Sequence, residues 1–444
     1  MKRLIFLFVI LMLITGSCKK TEPIVDTTVT AAQARDTLFL IMKQWYYWYN
    51  MPSVTSITSD IKKNYPDPYK LLEAMRYKTL DKWSFVADYD EFNAEMAGTF
   101  VGHGIRIGLD TDSLARIAMI YDNSPLHASG VRRGWIVKKV NGTDLALALK
   151  TNDTAAYNNA LGPSIAGRIN TFLFHKPDGR DTTITSAKSS FTINTVLVCD
   201  TLHLKTGAIA GHMVFESFVD PSVAELATAF AYFKSQGVTK FILDLRYNSG
   251  GYLDIAQELA SYLGGNVTAG TTFAKLTYNN RMQSVVEAIP DYKTVFYFAQ
   301  TSSSINLSEV VIITTRLTAS ASEAVMNGLN PHLNIVSVGD TTNGKPVGMN
   351  GWSCGKKYWF WPITFKTVNS ANAGEYFDGI APDKIATDDI THDFSDRNEK
   401  CLKEAILYLE TGAFSSGKGA EEFSRFANFG EKPAWMNNTF VLEK

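Results

Sequence analysis

The second half of the chain alternates between two hydrophobic patterns. The apolar runs in AIAGHMVFESF, KFILDLR, EVVIITT and NIVSVG predict buried strands. Between them, helical spacing places Phe230 and Phe233 on one face after the capping pair Asp220-Pro221, and further helices are predicted in the same way. Strands that alternate with helices indicate a mainly parallel sheet, whose ligands gather at the carboxyl ends of the strands. We therefore predict an α/β domain over residues 195–413.

Two other patterns precede this domain. Residues 31–96 carry apolar side chains at helical spacing, interrupted near Pro52 and Pro66, and predict a small helical unit. The aromatic run WYYWY within it is interpreted as core. Residues 97–194 change to short alternating strands and contain an Asn-Gly tight-turn pair, which predicts a β-rich unit. The predicted fold class is therefore multidomain, α+β in the first two units and α/β in the third.

The first eighteen residues, MKRLIFLFVILMLITGSC, have the pattern of a secretory signal peptide, with an apolar run too short to span a membrane. Small residues directly before Cys18 resemble a bacterial lipoprotein cleavage site, which implies a lipid anchor on Cys18 and a polar tether over residues 19–30. The alternative is a plain signal peptide with Cys18 as a spare thiol. We expect an exported cell-envelope protein, facing the periplasm or on the outer membrane, that meets the membrane only through its anchor.

Composition narrows the classes of function. With 444 residues, of which 45% are hydrophobic and 20% charged, the chain can build two or three domains with cores. The formal net charge of -1 gives no overall field that would attract nucleic acid, so no nucleic-acid partner is predicted. Cys199, Cys354 and Cys401 form no CxxC pair and no Cys/His ligand spacing, so neither a metal site nor a cofactor is predicted. A single disulfide between two of these three cysteines is possible in an exported protein, and the sequence does not indicate which two.

A recognisable pattern fills the β-rich unit. The segment GHGIRIG is followed by SPLHASGVRRGWIVKKVNGTDL, and together they resemble a PDZ domain of the protease-associated type. The resemblance implies that a peptide C-terminus is received by strand addition, with backbone N–H groups holding its carboxylate. The implied peptide-binding residues are Gly104, Ile105, Arg106 and Ile107. A β-rich spacer with a closed groove is the alternative, whereas a dinucleotide-binding loop is excluded because Gly108 comes one residue late and no helix follows.

Three short motifs follow one another at the predicted carboxyl ends of strands: DLRYNSGG (Asp244–Gly251), TASASE (Thr318–Glu323) and NGK (Asn343–Lys345). With the PDZ-like segment before them and YFDGIAPDKI after them, they resemble the tail-specific, or C-terminal processing, serine protease family. The resemblance implies a ClpP- or crotonase-like catalytic domain. It also implies that Ser320 is the nucleophile and that Lys345, 25 residues further on, is its general base.

The residue types at these positions suit acyl transfer. A serine hydroxyl becomes a good nucleophile only when a base takes its proton, and a lysine serves as that base only when it is neutral. The free amine has a pKa of about 10.4, so burial must lower it, and the uncharged neighbours of Lys345 are consistent with that. Ser320 stands where a strand is predicted to meet a helix, whose first N–H groups lack partners. The N–H of Ala321, with one from Gly250 or Gly251, is the implied oxyanion hole.

Other interpretations of these motifs have a place beside the catalytic one. Ser320-x-x-Glu323 also fits a capping box, so Glu323 is assigned only a supporting role, in which it caps the helix or holds the lysine. The stretch from Gly339 to Lys345 resembles the start of a phosphate-binding loop. That interpretation fails because the next residue is Pro346, which has no hydroxyl for magnesium.

Two further residues bear on the mechanism. His332 lies between Ser320 and Lys345 in sequence, but it follows Asn-Pro in a turn, which favours a surface or capping role over membership of a catalytic triad. Many members of the resembled family place a glutamine four residues after the lysine to orient it, whereas this chain has Met349. The third catalytic partner therefore stays open.

Two hypotheses of function follow from different classes. The first is an endopeptidase that cleaves exported polypeptides near their C-termini through an acyl-enzyme on Ser320. The second is a non-catalytic binding or scaffold protein that uses the PDZ-like groove and the protease-like cleft. The joint presence of Ser320 and Lys345 at the family's separation favours the enzyme. The polar and aromatic stretch 414–444 shows no motif, and it either packs on the catalytic domain or forms a tail.

Overall fold

The computed structural model describes residues 29–416 and two short strands beyond them, at 425–426 and 440–441. The predicted signal peptide, the proposed lipidation site Cys18 and most of the tether lie outside the described residues, as does most of the predicted tail. Among the helices that are described, none combines the length and the apolar character that crossing a membrane requires.

The N-terminal region is mostly helical, as predicted, but it contains one strand. Thr30 caps the first helix, because its hydroxyl accepts the N–H of Gln33 while the Gln33 side chain accepts the N–H of Thr30. Within the aromatic run, Tyr46 and Trp48 are buried in the core. The elements are α1 (Ala31–Gln44), α2 (Pro52–Thr55), α3 (Pro68–Met75), β1 (Phe85–Asp88) and α4 (Tyr89–Met96).

The next region is β-rich with a core of its own, formed by Ile107, Leu126 and Phe172 among others. Its elements are β2 (Thr99–Gly102), β3 (Ile105–Leu109), β4 (Ala115–Ile120), α5 (Pro125–Ala128), β5 (Ile136–Val140), α6 (Leu145–Lys150), α7 (Thr154–Leu161), β6 (Ile169–His175), β7 (Asp181–Ala187) and β8 (Ser189–Thr192). Strands β3 to β7 form an antiparallel sheet in chain order, while β2 pairs with β8. Gly104 precedes β3 at φ +72°, where a Cβ would lie 2.2 Å from Ser124 Cβ, so only glycine fits.

The remaining chain alternates strands and helices before it ends in short strands. Its first elements are β9 (Val196–His203), β10 (Ile209–Phe215), α8 (Pro221–Ser235), β11 (Lys240–Asp244), β12 (Gly251–Tyr252), α9 (Leu253–Gly264), β13 (Thr272–Tyr278), α10 (Gln283–Glu287), β14 (Val295–Tyr297), β15 (Glu309–Thr314), α11 (Ala321–Leu329) and β16 (Asn334–Gly339). Its last elements are β17 (Val347–Met349), β18 (Trp352–Cys354), β19 (Tyr358–Trp361), β20 (Ile363–Val368), β21 (Lys384–Ile385), α12 (Lys400–Thr411), β22 (Arg425–Phe426) and β23 (Phe440–Val441).

The central sheet has the order β21-β16-β15-β11-β10-β9. All its pairs are parallel except β10 with β9, as the sequence predicts. Along β11, Ile242 packs with Leu402 of α12 on one face, while Leu243 packs with Phe230 of α8 and Leu259 of α9 on the other. The sheet is therefore covered on both sides, and its strand ends carry the predicted motifs.

A second sheet has the strand order β12-β23-β17-β20-β13-β14. A third, β1-β19-β18, joins the N-terminal region to the α/β region through antiparallel pairing of β1 with β19. The strand β1 within the predicted helical unit is thus stabilised by pairing with β19. Because β19 lies far away in the sequence, the local pattern could not predict this strand.

Buried charges join the β-rich and α/β regions. Arg246 has no exposed surface, and its guanidinium lies 2.7 Å from carboxylate oxygens of Asp244 and Asp388 and 3.0 Å from Glu399. From the β-rich region, Arg133 reaches the same Asp388 carboxylate at 2.9 Å. Because each charge is paired inside the protein, the network fixes the segment that carries the first motif.

Replacing Arg246 by Met should lower the free energy of unfolding by about 3–5 kcal/mol, because it strips three buried carboxylates of a counter-charge. Urea unfolding measures the change. The matched control is Arg180→Met, which breaks an ion pair on a side chain that is 74% exposed and should leave the midpoint unaltered. Equal midpoints for both variants would contradict the role given to Arg246.

Candidate active site

Ser320 lies at the sharp turn that leads from the end of β15 into α11. Its backbone has φ +63° and ψ -111°, a conformation that residues with a Cβ rarely adopt. The side chain is buried, and within the described part of the chain Oγ has no hydrogen-bond partner. A buried, unengaged hydroxyl on a strained turn is an unusual use of serine in a core, and it marks the position as a functional candidate.

The buried carboxylate of Glu323 connects this turn with the lysine loop. Its Oε2 accepts the backbone N–H of Ser320 and that of Lys345, both at 2.8 Å. Because both backbone nitrogens bind the same oxygen, the nitrogens of Ser320 and Lys345 lie no further apart than the sum of these two distances. Oε1 accepts the N–H of Gly344 at 2.6 Å and the hydroxyl of Thr342 at 2.5 Å. The folded chain thus brings together two residues that the sequence separates, and Glu323 both caps α11 and holds the lysine loop.

Lys345 is almost completely buried, with 1% of its surface exposed. Burial lowers the pKa of its amine to about 7, while the nearby carboxylates of Asp81 and Glu323 act in the opposite direction. At neutral pH a large share of the amine is therefore neutral and able to accept a proton.

Two family models match the chain. The model of peptidase family S41 matches residues 210–385, which contain Ser320, Glu323 and Lys345. The model of the peptidase S41 N-terminal domain matches residues 34–85. The chain belongs to peptidase family S41.

Relatives of this S41 chain include the "Carboxyl-terminal-processing protease" of Picosynechococcus sp., 22% identical over 281 residues, which make up 63% of this chain and 60% of the relative. A Staphylococcus aureus protein named "Probable CtpA-like serine protease" is 24% identical over 265 residues, 58% of this chain and 46% of the relative. This chain thus spans between 46% and 60% of the length of these curated relatives.

The fold is also found in a solved structure. An S41 protease from Bacteroides fragilis matches with a TM-score of 0.67 at 22% sequence identity, covering 85% of this chain and 97% of that one. A likeness at this level of identity shows that the S41 fold extends over most of the described residues.

The S41 N-terminal domain supplies a residue that sequence reasoning missed, Asp81. It is 1% exposed, and its carboxylate accepts the hydroxyl of Tyr46 at 2.7 Å and the N–H groups of Trp83 and Ser84 at 3.0 and 2.9 Å. It lies close enough to Lys345 to raise the pKa of that amine. The pattern Asp-x-Trp-Ser signals a local turn in the sequence, but nothing in it indicates the distant lysine.

The glycine loop of the first S41 motif is clamped to the serine turn. The carbonyl of Asn248 accepts the N–H of Ala319 and the hydroxyl of Ser322, each at 3.0 Å. The Asn248 side chain accepts the N–H of Gly250 at 2.9 Å, so that N–H is already engaged. Gly251 has φ +138°, and a Cβ there would lie 2.1 Å from the Phe218 carbonyl oxygen, so no other residue fits.

The other predicted positions lie around this site or away from it. Ala321 is the first residue of α11, where an N–H has no partner within its helix. His332 follows α11, and its Nε2 lies 3.2 Å from the hydroxyl oxygen of Ser370. Met349 is fully buried in β17 and pairs with Ile363 of β20.

The four predicted peptide-binding residues differ in burial. Gly104 and Ile107 are buried, while Ile105 and Arg106 are half-buried in β3. The Arg106 guanidinium lies 5.8 Å from the ring centroid of Tyr247 in the first S41 motif. Among the described residues, Cys199, Cys354 and Cys401 are free thiols, and no cluster of His, Cys, Asp or Glu has the arrangement of a metal site.

We expect the Lys345 amine to titrate near pH 7, because burial disfavours its ammonium form, and NMR of isotope-labelled lysine measures this directly. In Asp81→Asn the pKa should fall further, because the variant removes a carboxylate that stabilises the ammonium. The matched control is Asp60→Asn, which changes an exposed carboxylate of the same region and should leave the titration unaltered. A Lys345 pKa close to the ordinary value of about 10.4 would contradict the burial argument.

Proposed function

We propose that the protein is a serine endopeptidase that cleaves exported polypeptides near their C-termini, with Ser320 as nucleophile and Lys345 as general base. The observation that carries the proposal is the shared Glu323 carboxylate, which holds the backbones of both residues at one point. The unengaged Ser320 hydroxyl and the low pKa of Lys345 support the same roles. Membership of peptidase family S41 agrees with this chemistry.

The reaction would begin with proton transfer. The neutral Lys345 amine takes the proton of Ser320 Oγ as the oxygen attacks the substrate carbonyl carbon, which gives a tetrahedral oxyanion. The resulting ammonium then donates a proton to the leaving amine as the peptide bond breaks, and an ester on Ser320 remains. Water attacks the ester with the same amine as base, which releases the product carboxyl group and restores the serine.

The oxyanion needs donors that a substrate can reach. The N–H of Ala321 is suitable because it begins α11. We assign the second donor to Gly251 rather than Gly250, since the Asn248 side chain holds the Gly250 N–H, whereas the backbone of Gly251 faces the short strand β23, which a substrate would replace. Glu323 does not react in this scheme. It is a positioning residue that acts through the backbone of the nucleophile and the base.

The third partner of the site is assigned to Asp81. Met349 occupies the position of the glutamine in related proteases, and a buried thioether cannot orient an ammonium in the same way. A carboxylate near the amine stabilises the ammonium that forms when Ser320 loses its proton. Asp81 thus supplies the charge that the motif around Met349 lacks.

The surrounding regions fit an enzyme that acts on polypeptides. The α/β region is proposed to be a ClpP- or crotonase-like protease domain, and residues 97–194 a PDZ-like domain that receives a peptide along β3 at Gly104 to Ile107. In the antiparallel sheet of residues 97–194, β3 lies next to the edge, which supports strand addition. Lipidation at Cys18 is proposed to hold the exported protein on the cell envelope.

Cleavage of an unfolded reporter with an apolar C-terminal tail tests the catalytic pair. Ser320→Ala and Lys345→Ala should each lower kcat/KM at least about 1,000-fold, because neither residue can act without the other. The matched controls are Ser353→Ala and Lys356→Ala, which change exposed residues and should retain activity. A folded but inactive unmutated protein would favour the alternative, a non-catalytic binding or scaffold protein.

The pH dependence follows from the titration of Lys345. Since the neutral amine is the base, kcat/KM should rise through about pH 7 and level off above it. Asp81→Asn should shift the midpoint to lower pH, because it makes the amine easier to deprotonate. Ser353→Ala should reproduce the unmutated profile, and a midpoint several pH units higher would exclude Lys345 as the base.

A further inference from the structure

The short strand β23, from Phe440 to Val441, pairs with two strands of the proposed catalytic region. It stands between β12 and β17 and runs parallel to both, with Phe440 opposite Gly251 and Val441 opposite Tyr252 and Met349. Strand β12 contains the proposed oxyanion donor, and β17 begins two residues after Lys345. The end of the chain therefore joins the strands that follow two of the three catalytic motifs.

The strand β22 occupies the other proposed peptide site. It pairs antiparallel with β3, with Arg425 opposite Leu109 and Phe426 opposite Gly108, and it forms the edge of that sheet. A strand added to β3 in this direction runs toward Gly104, which is the direction of a peptide whose C-terminus is received there. The same end of the chain thus pairs with both surfaces that were assigned to substrate.

Backbone pairing explains why both surfaces take an extended strand. The exposed N–H and C=O groups of a strand edge bind any extended chain of suitable direction, and side chains add only specificity. A polypeptide laid between β12 and β17 would pass beside the proposed oxyanion donor Gly251 and close to the base. The site of β23 is therefore the site that an extended substrate needs.

We infer that β22 and β23 bind in cis as a substrate-like inhibitor and compete with polypeptide substrates for both surfaces. The inference rests on the proposed function, because it describes how the proposed peptidase is regulated. A tethered segment has an effective concentration in the millimolar range, so even a weakly binding strand would keep the cleft mostly occupied. A substrate reaches the catalytic pair only after it displaces this end of the chain.

The first experiment measures binding without catalysis. A labelled peptide with the sequence of residues 437–444 is titrated by fluorescence anisotropy into the full chain carrying Ser320→Ala. Adding Val441→Pro removes a backbone N–H from the paired position and should release the strand. We expect the peptide to bind about ten-fold more tightly to the double variant, because the internal competitor is lost.

The matched control is Lys444→Pro, which places the same residue at a position that belongs to neither described strand. It should bind the peptide as Ser320→Ala alone does. An equal Kd in all three proteins, with unchanged melting temperatures, would overturn the inference. So would a Val441→Pro protein that loses its cooperative unfolding transition and binds no peptide, because β23 would then be a structural strand.

The second experiment separates this inference from the proposed function. With Ser320 present, Val441→Pro should raise both reporter cleavage and the rate of labelling by a fluorophosphonate about ten-fold, and Lys444→Pro should not. Tighter peptide binding without any cleavage or labelling would refute the peptidase and leave the competing strand intact. Loss of residues 441–444 from the full chain, but not from Ser320→Ala, would identify the segment as a substrate and overturn its role as an inhibitor.

Discussion

One buried carboxylate, that of Glu323, ties the candidate active site together. Its two oxygens accept the N–H groups of Ser320, Gly344 and Lys345 and the hydroxyl of Thr342. An isolated charge in this position would be strongly unfavourable, and the four donors offset that cost only when the serine turn and the lysine loop are both in place. The carboxylate therefore couples the geometry of the proposed nucleophile and base to folding. Burial also raises the pKa of the Glu323 carboxyl, which adds to its need for donors.

The environment of Lys345 is built by two regions of the chain. Burial lowers the pKa of the amine, while Asp81 and Glu323 stabilise its charged form, and the balance lies at about 7. Asp81 is itself fixed by Tyr46, and its region is joined to the α/β region by the pairing of β1 with β19. The N-terminal domain thus contributes to the electrostatics of Lys345, the proposed base.

The sequence contains local signals for much of this arrangement. Alternating apolar periods predict the parallel sheet and its helices, and three motifs bring Ser320 and Lys345 to the ends of its strands. The contribution of Asp81 could not be predicted, because it arises from packing between distant segments. The choice of Gly251 over Gly250 depends on one side chain, Asn248. A two-residue strand such as β23 has no periodicity to detect, since its partners alone define it.

The titration of Lys345 also bears on how such a site would be controlled. An amine with a pKa of about 7 is partly neutral in ordinary conditions, so protonation provides no strong inactive state. We therefore place the proposed control at access to β12 and β17. A tethered strand competes well with a peptide that pairs only with β12 and β17, because tethering gives the strand a high effective concentration at that site. A polypeptide that also pairs with β3 gains the same advantage of two linked contacts, so competition of this kind selects substrates that reach both surfaces.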